Sequence, residues 1–245
     1  MDERIVKELA QRTANSSPQE LLDVVLETFG RRVALATSLG VEDQVLTDML
    51  CRLTKRPRIF TLDTGRLPQE TYDTIEATNA RYNIRIEVLF PDTTDVEALA
   101  TEHGPNSFRQ SVAARENCCY IRKVLPLRRR LSGLDAWITG LRREQSPTRG
   151  AIERIAWDEA NGRVKISPLT DWTEDQVWQY VRENDVPYNP LHDLGYRSIG
   201  CACCTRAVKP GEDLRSGRWW WETLEQHKEC GLHVVDGKLV PKKER

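Results

Sequence analysis

Val33-Ala34-Leu35-Ala36-Thr37-Ser38-Leu39-Gly40-Val41-Glu42-Asp43 decides how this chain folds. Its first four residues are an unbroken apolar run, which reads as a buried strand. A Thr-Ser-Leu-Gly turn follows, and from Val41 to Leu53 apolar residues recur at helical spacing. A buried strand feeding straight into a helix is half of a repeating unit whose repetition gives a parallel sheet covered by helices. Backbone N–H groups at such a helix start can cradle a phosphate or sulfate. Turns of this composition are common, so the loop alone names no ligand.

The alternation continues on both sides. Upstream, Ser17-Pro18-Gln19-Glu20 is a capping box with proline at the first helical position, opening a helix to about Phe29. Downstream, Arg58-Ile59-Phe60-Thr61-Leu62 reads as a second strand ending at Asp63-Thr64-Gly65-Arg66, and Pro68 to Arg81 as a helix. Ile84 to Phe90 alternates and stops at Pro91, a third strand. Thr94 to Thr101 suggests a helix, and Ser107 to Leu131 is largely helical with Pro126 as a break or kink. Ala136-Trp137-Ile138-Thr139-Gly140 is a fourth strand.

The second half is less regular. Ile152 to Ile166 reads as two strands around the hairpin signal Asn161-Gly162. Thr173 to Arg182 is a helix with Thr173 as its cap, turn residues dominate from Pro187, and Arg218 to His227 reads as a final helix before a polar tail. No internal repeat or low-complexity linker appears. The expected fold is α/β: one domain over residues 1–245, a parallel twisted sheet flanked by helices. Ligands of such sheets bind at the carboxyl ends of strands. Thr37-Ser38-Leu39-Gly40, Asp63-Thr64-Gly65 and Gly140-Leu141-Arg142-Arg143 all fall there.

The 245 residues suffice for a well-buried core. With 37 acidic and 36 basic side chains the formal charge is -1, so no whole-protein field favours nucleic acid or a membrane surface. No apolar run approaches a membrane span, and the charged start Met1-Asp2-Glu3-Arg4 is not a secretory signal. The expected compartment is cytoplasmic. Thiols stay reduced there, so seven cysteines read as metal ligands or catalysts before disulfides.

Six of those cysteines form three local patterns: Cys118-Cys119, Cys201-x-Cys203-Cys204, and Cys230 within Lys228-Glu229-Cys230-Gly231-Leu232-His233. Cys118, Cys119, Cys201 and Cys204 make a candidate four-thiolate site, a donor set for an iron–sulfur cluster or for structural zinc. Adjacent cysteines on a helix point about 100° apart, which suits a cluster of separated irons better than one tetrahedral ion. Buried hydrophobic cysteines are the remaining reading. Cys203 reads as a bystander, and Cys51, among apolar helical neighbours, as core.

Several stretches together carry a family resemblance. Cys118-Cys119 precedes Ile121-Arg122-Lys123. Ile199-Gly200-Cys201-x-x-Cys204-Thr205-Arg206, Gly217-Arg218-Trp219-Trp220-Trp221-Glu222 and the terminal Glu-Cys-Gly-Leu-His string follow. From about Val33 to His233 the chain closely resembles the assimilatory adenylyl-sulfate reductases, the iron–sulfur branch of a family with the adenine nucleotide α-hydrolase-like fold. The resemblance implies one [4Fe-4S] cluster on Cys118, Cys119, Cys201 and Cys204. It implies reduction of adenosine 5′-phosphosulfate to sulfite and AMP in sulfate assimilation and cysteine biosynthesis, with electrons from thioredoxin or a glutaredoxin-like dithiol. Thr37, Ser38 and Gly40 resemble the family's phosphate loop, although Leu39 stands where the fuller Ser-Gly-Gly pattern has a small residue. Leu62, Asp63, Thr64, Gly65 and Arg66 match a motif along the adenosine, and Gly140, Arg142 and Arg143 a third motif near the nucleotide.

Cys230 is the implied nucleophile, on a mobile tail from about residue 228 to 245. A thiolate attacking an anionic sulfonate needs cations, which also increase its thiolate fraction. By resemblance these are Lys123, Arg215 and Arg218, with His233 orienting the tail or holding substrate. Lys123 lies four residues after Cys119, one helical turn, so the cluster is expected to place Lys123 beside the sulfonate. Alternatives are a 3′-phosphoadenylyl-sulfate reductase or dual-substrate enzyme, a tRNA-thiolation enzyme, which the near-neutral charge disfavours, and an iron–sulfur sensor. A homo-oligomer is left open.

Overall fold

The computed structural model describes residues 3–146 and 149–222. The quoted stretch supplies β1 (Val33–Thr37) and helix α3 (Val41–Leu53), after α1 (Glu3–Arg12) and α2 (Pro18–Phe29). Then come β2 (Ile59–Leu62), α4 (Gln69–Tyr82), β3 (Glu87–Leu89), α5 (Thr93–His103), α6 (Val112–Cys119), α7 (Leu125–Leu131), β4 (Ala136–Ile138), β5 (Ile155–Asp158), β6 (Arg163–Ile166) and α8 (Glu174–Asn184). One sheet has the order β3-β2-β1-β4-β6-β5. Its neighbours run parallel through β6, and β5 joins antiparallel through the expected hairpin.

The unbroken apolar run of β1 is explained by cover on both faces. Val33 and Leu35 enter a large core with residues of α2, α3 and α8, while Ala34 packs with Phe60, Trp137, Leu127 and Leu131 against α7. From β1 the chain moves outward through β2 and β3, then returns to place β4 on the other side of β1. This reversal opens a crevice between the carboxyl ends of β1 and β4, where an open α/β sheet binds its ligand.

Local expectations hold where side chains cap the backbone. Ser17 and Glu20 form the reciprocal capping box of α2, and Thr173 caps α8 with Gln176. The helical stretch before β4 is more broken than expected. After α6, residues Tyr120–Val124 form a π-helical turn, and Pro126 sits in the first turn of α7. Proline lacks an N–H and its ring crowds the carbonyl four residues back, so a widened turn accommodates it.

The expected final helix from Arg218 is corrected over its described part. Arg218 makes an antiparallel bridge with Thr205, and Trp219 has the left-handed φ of 44°, so residues Arg218–Glu222 are not helical. The rest of that predicted helix, and the tail with Cys230 and His233, lie outside the described residues. Among the described residues, no helix is long and apolar enough to cross a membrane.

Asp48 on α3 ties the helices of one face together. Only 2% exposed, it accepts hydrogen bonds from Tyr180 (2.7 Å) on α8, Tyr82 (3.0 Å) on α4 and Arg52 Nε (2.7 Å). Asp48→Ala strands both phenols and is expected to lower the unfolding free energy by about 2–4 kcal/mol in urea titration; a loss within experimental error would refute that role.

Candidate functional site

At the β1/β4 reversal lies a cleft of about 420 Å³. Its walls include Thr37, Ser38 and Gly40 after β1, Leu62 and Thr64 after β2, Gly140 and Arg142 after β4, and the cations Lys123, Arg215 and Arg218. The first loop is held by Asp43 in the first turn of α3. Its carboxylate accepts hydrogen bonds from the Ser38 N–H (2.7 Å), the Ser38 hydroxyl (2.8 Å) and the Gly140 N–H (3.0 Å). One side chain thus fastens the ends of β1 and β4 together across the crevice. Burial pushes the Asp43 carboxyl up to about 6, against hydrogen bonds that favour its charged form.

Leu39 explains the departure from a glycine-rich loop. Its φ of 59° is one that side chains rarely adopt, while its side chain is fully buried in the main core. Core packing therefore holds the loop in a shape that glycine would adopt without strain. Gly140 is required for a different reason. A Cβ there would collide with the Asp43 carboxylate and approach Glu42 Cβ to 2.9 Å.

The other expected nucleotide contacts divide. Asp63 faces the turn, accepting from Gly65 N–H (2.7 Å) and the Tyr72 hydroxyl, and does not line the cleft. Gly65 forms that turn at a φ of 70°. Arg66 points to the cysteines, donating to the Pro105 carbonyl with Nη1 3.9 Å from Cys203 Sγ. Arg142, 2% exposed, is engaged by Glu42 (2.9 Å), Glu144 (3.2 Å) and the Trp172 carbonyl. Arg143 lies outside the cleft lining, paired with Asp171 and donating to the Ile152 carbonyl. The backbone at Arg142 is extended, so neighbouring side chains project to opposite sides.

Several lining residues escaped sequence reading. Asp43 stood in the decisive stretch without a visible partner. Arg149, Trp178, His192 and Arg197 reach the cleft from later segments. Only the long-range fold brings them in. Trp178 stands edge-on to His192 at 5.4 Å, and burial lowers the His192 pKa, favouring the neutral ring.

Beside the cleft, Cys118, Cys119, Cys201, Cys203 and Cys204 line a small second cavity. Cys119, Cys201 and Cys204 are buried and Cys118 is half-buried. The remaining wall is strongly basic: Arg66, Arg115, Arg122, Lys123 and Arg218, with Phe108 and Trp219. Lys123 and Arg218 line this cavity and the cleft alike. The Thr64 hydroxyl lies 3.2 Å from Cys201 Sγ, and Arg122 donates to the Thr64 carbonyl at 2.7 Å, so the β2 loop also joins the two chambers. The π-helical turn alters the expected helical register between Cys119 and Lys123 but leaves both on the cysteine cavity. Burial raises the Cys118 thiol pKa. Among the described residues, no three His, Cys, Asp or Glu side chains are arranged to hold a single metal ion. Cys203, read as a bystander, lines the same cavity, its Sγ 3.8 Å from that of Cys204. Cys51 sits apart on α3, its thiol pushed up to about 12 by burial.

This geometry coincides with a family match. The phosphoadenosine phosphosulfate reductase domain matches residues 32–207, and the chain belongs to that family. It is 51% identical to the adenosine 5′-phosphosulfate reductase of Allochromatium vinosum over 90% of this chain and 86% of that protein. It is 48% identical to the enzyme of the same name from Burkholderia cepacia, covering 91% and 90% of the two chains. A crystal structure of phosphoadenylyl-sulfate reductase from Candida auris superposes with a TM-score of 0.72 at 30% identity, covering 85% of this chain and 98% of that one.

Two substitutions test the fastening across the crevice. Gly140→Ala is expected to cost about 1–3 kcal/mol in denaturant, because overpacking meets backbone-anchored groups. Wild-type stability would remove Asp43 as the fastener. Asp43 also predicts a pH signature. Its folded pKa is raised from 3.8 to about 6, so its contribution is complete below the unfolded value and declines as pH rises through the folded one. The stability advantage of the wild type over Asp43→Asn should therefore shrink by up to about 3 kcal/mol between pH 4 and pH 7. A constant or growing advantage would contradict the assignment.

Proposed function

We propose that this chain reduces adenosine 5′-phosphosulfate to sulfite and AMP, with Cys230 as nucleophile. The observation that carries the proposal is the basic wall common to two chambers, a nucleotide-sized cleft and a cysteine-lined cavity, with Lys123 and Arg218 lining both. The substrate is supported by the Allochromatium vinosum and Burkholderia cepacia relatives, both named for adenosine 5′-phosphosulfate and about half identical to this chain over most of its length.

The nucleotide lies along the loop Thr37, Ser38 and Gly40 and beside Leu62, Thr64 and Gly140, its sulfonate toward Lys123, Arg215 and Arg218. Asp63, Gly65 and Arg142 shape the loops without needing to touch it. The Cys230 thiolate attacks the sulfonate sulfur, the bond from sulfur to the phosphate oxygen breaks, and AMP departs with that electron pair. The three cations offset charge crowding as anionic nucleophile and anionic substrate meet. The product on the enzyme is S-sulfocysteine. A thiolate of a thioredoxin-like dithiol then attacks Cys230 Sγ and expels sulfite. Its second thiol closes a disulfide, the dithiol is oxidised, and Cys230 returns as thiolate. His233 is assigned to orient the segment that carries Cys230.

Cys118, Cys119, Cys201 and Cys204 would hold a [4Fe-4S] cluster. The donor set fits: the four thiols line one cavity, with Cys203 beside them, and the surrounding cations complement an anionic thiolate cluster. Such a group, when bound, supplies a fixed local charge and ties α6 to the Cys201–Cys204 turn. In this chemistry it would support Lys123 and Arg218 and would carry no electrons to substrate. The enzyme is assigned to sulfate assimilation in the cytoplasm.

A second reading, use of the 3′-phosphorylated substrate, draws on the likeness to the Candida auris protein and on the lining residues Arg149 and Arg197. The ratio of kcat/KM for the two nucleotides decides. A preference of roughly a hundredfold or more for the unphosphorylated form is expected, equivalent to about 3 kcal/mol of discrimination; preference for the other nucleotide overturns the substrate choice. Cys230→Ser is expected to abolish sulfite production while keeping the visible absorption of the cluster. Retained turnover would exclude Cys230 as nucleophile.

A further inference from the structure

We propose that the buried ion pair Arg115–Glu222 is a positioning element for Arg218, acting through the ring of Trp219; the inference rests on the assignment of Arg218 to the sulfonate. Arg115 is fully buried in α6, three residues before Cys118, and lines the cysteine cavity but not the cleft. Its guanidinium grips Glu222 with two bonds, Nε to Oε1 at 2.8 Å and Nη2 to Oε2 at 3.1 Å. That planar fork fixes orientation as well as distance.

The pair is linked to the cleft by one aromatic ring. Arg115 Cζ stands 4.5 Å from the Trp219 ring centroid, and Arg218 Cζ stands 4.8 Å from the same centroid. Trp219 is 1% exposed and holds the left-handed φ of 44°. Such a backbone persists in a large residue only where its surroundings over-determine it. Here the Trp219 N–H donates to the Cys204 carbonyl (3.2 Å) and the Glu222 N–H donates back to the Trp219 carbonyl (2.9 Å). Arg115 therefore locks the far end of the turn that sets the indole, and the indole sets the face on which Arg218 rests. Arg218 is confined from its other neighbours by Ser198 Oγ (3.4 Å) and the Ile199 carbonyl (3.2 Å). Gly200 leaves the space its guanidinium occupies, since a Cβ there would collide with it.

A pair serving stability alone is replaceable by apolar groups of similar volume. A pair serving position is not. The test uses the full-length, cluster-loaded protein in a Cys230→Ser background, so that substrate survives, and measures equilibrium binding of adenosine 5′-phosphosulfate and of AMP. Arg115→Met/Glu222→Leu removes the pair without leaving a lone buried charge. It is expected to weaken phosphosulfate binding about tenfold while AMP binding changes less than about twofold. Adding Arg218→Ala to it should cause no further loss, because both act through one group. Glu222→Gln, which keeps the shape, is expected to fall between, and it carries the test if the double variant fails to fold. Wild-type phosphosulfate affinity in the foldable variant overturns the inference, as does an equal loss for both nucleotides. If Arg218→Ala alone binds phosphosulfate as the wild type does, the assignment of Arg218 falls and takes the inference with it. If Arg218→Ala is impaired and the pair variant is not, the positioning role alone falls.

Discussion

Lys123 and Arg218 each face two chambers, and this shared wall organises the rest of the molecule. Cations that must meet an anionic substrate cannot sit in a buried wall without compensation, since desolvation of an isolated charge is severe. In the proposed function, the cysteine-lined cavity would add to that compensation once a metal cluster ionised its thiols. The arrangement gives one explanation for two features: why a cysteine-lined cavity lies beside the cleft, and why its surroundings are so basic. The proposed cluster would then have a role that requires no electron transfer.

The sheet serves this wall. Reversal of strand order between β1 and β4 opens the cleft, and Asp43 closes the seam by accepting from Ser38 and Gly140 at once. The β2 loop crosses from one chamber to the other, with Thr64 lining the cleft and touching Cys201. The cysteine-bearing turn, Gly200 and the Trp219 turn then pack around Arg218. Elements far apart in the chain meet at one guanidinium.

Much of this was legible in sequence. The strands announced themselves because burial on both faces demands uninterrupted apolar runs, and Ala34 and Leu35 serve opposite cores. The four cysteines, Lys123, Arg215 and Arg218 were marked by motif, and each lines the cleft or the cysteine cavity. What stayed hidden depended on geometry that spacing does not encode. Arg142 and Arg143 read alike as cations, yet an extended backbone sends one inward to Glu42 and the other outward to Asp171. The helix expected from Arg218 fails over Arg218–Glu222 because aromatic burial and a left-handed Trp219 override local propensity. The partner of Glu222 lies more than a hundred residues away, so no local pattern could disclose it.

The central claim is that the cysteine site holds the cations that allow Cys230 to react. Its most direct test compares cluster-loaded protein with folded, cluster-free full-length protein, judged intact by circular dichroism. Each is mixed with adenosine 5′-phosphosulfate without reductant, and adduct formation on Cys230 is followed by intact mass. The account predicts a sulfonate-sized increment on Cys230 in the loaded protein and formation slowed on the order of a hundredfold in the cluster-free one, as misplaced charge stabilisation costs elsewhere. Equal rates in the two forms would contradict it.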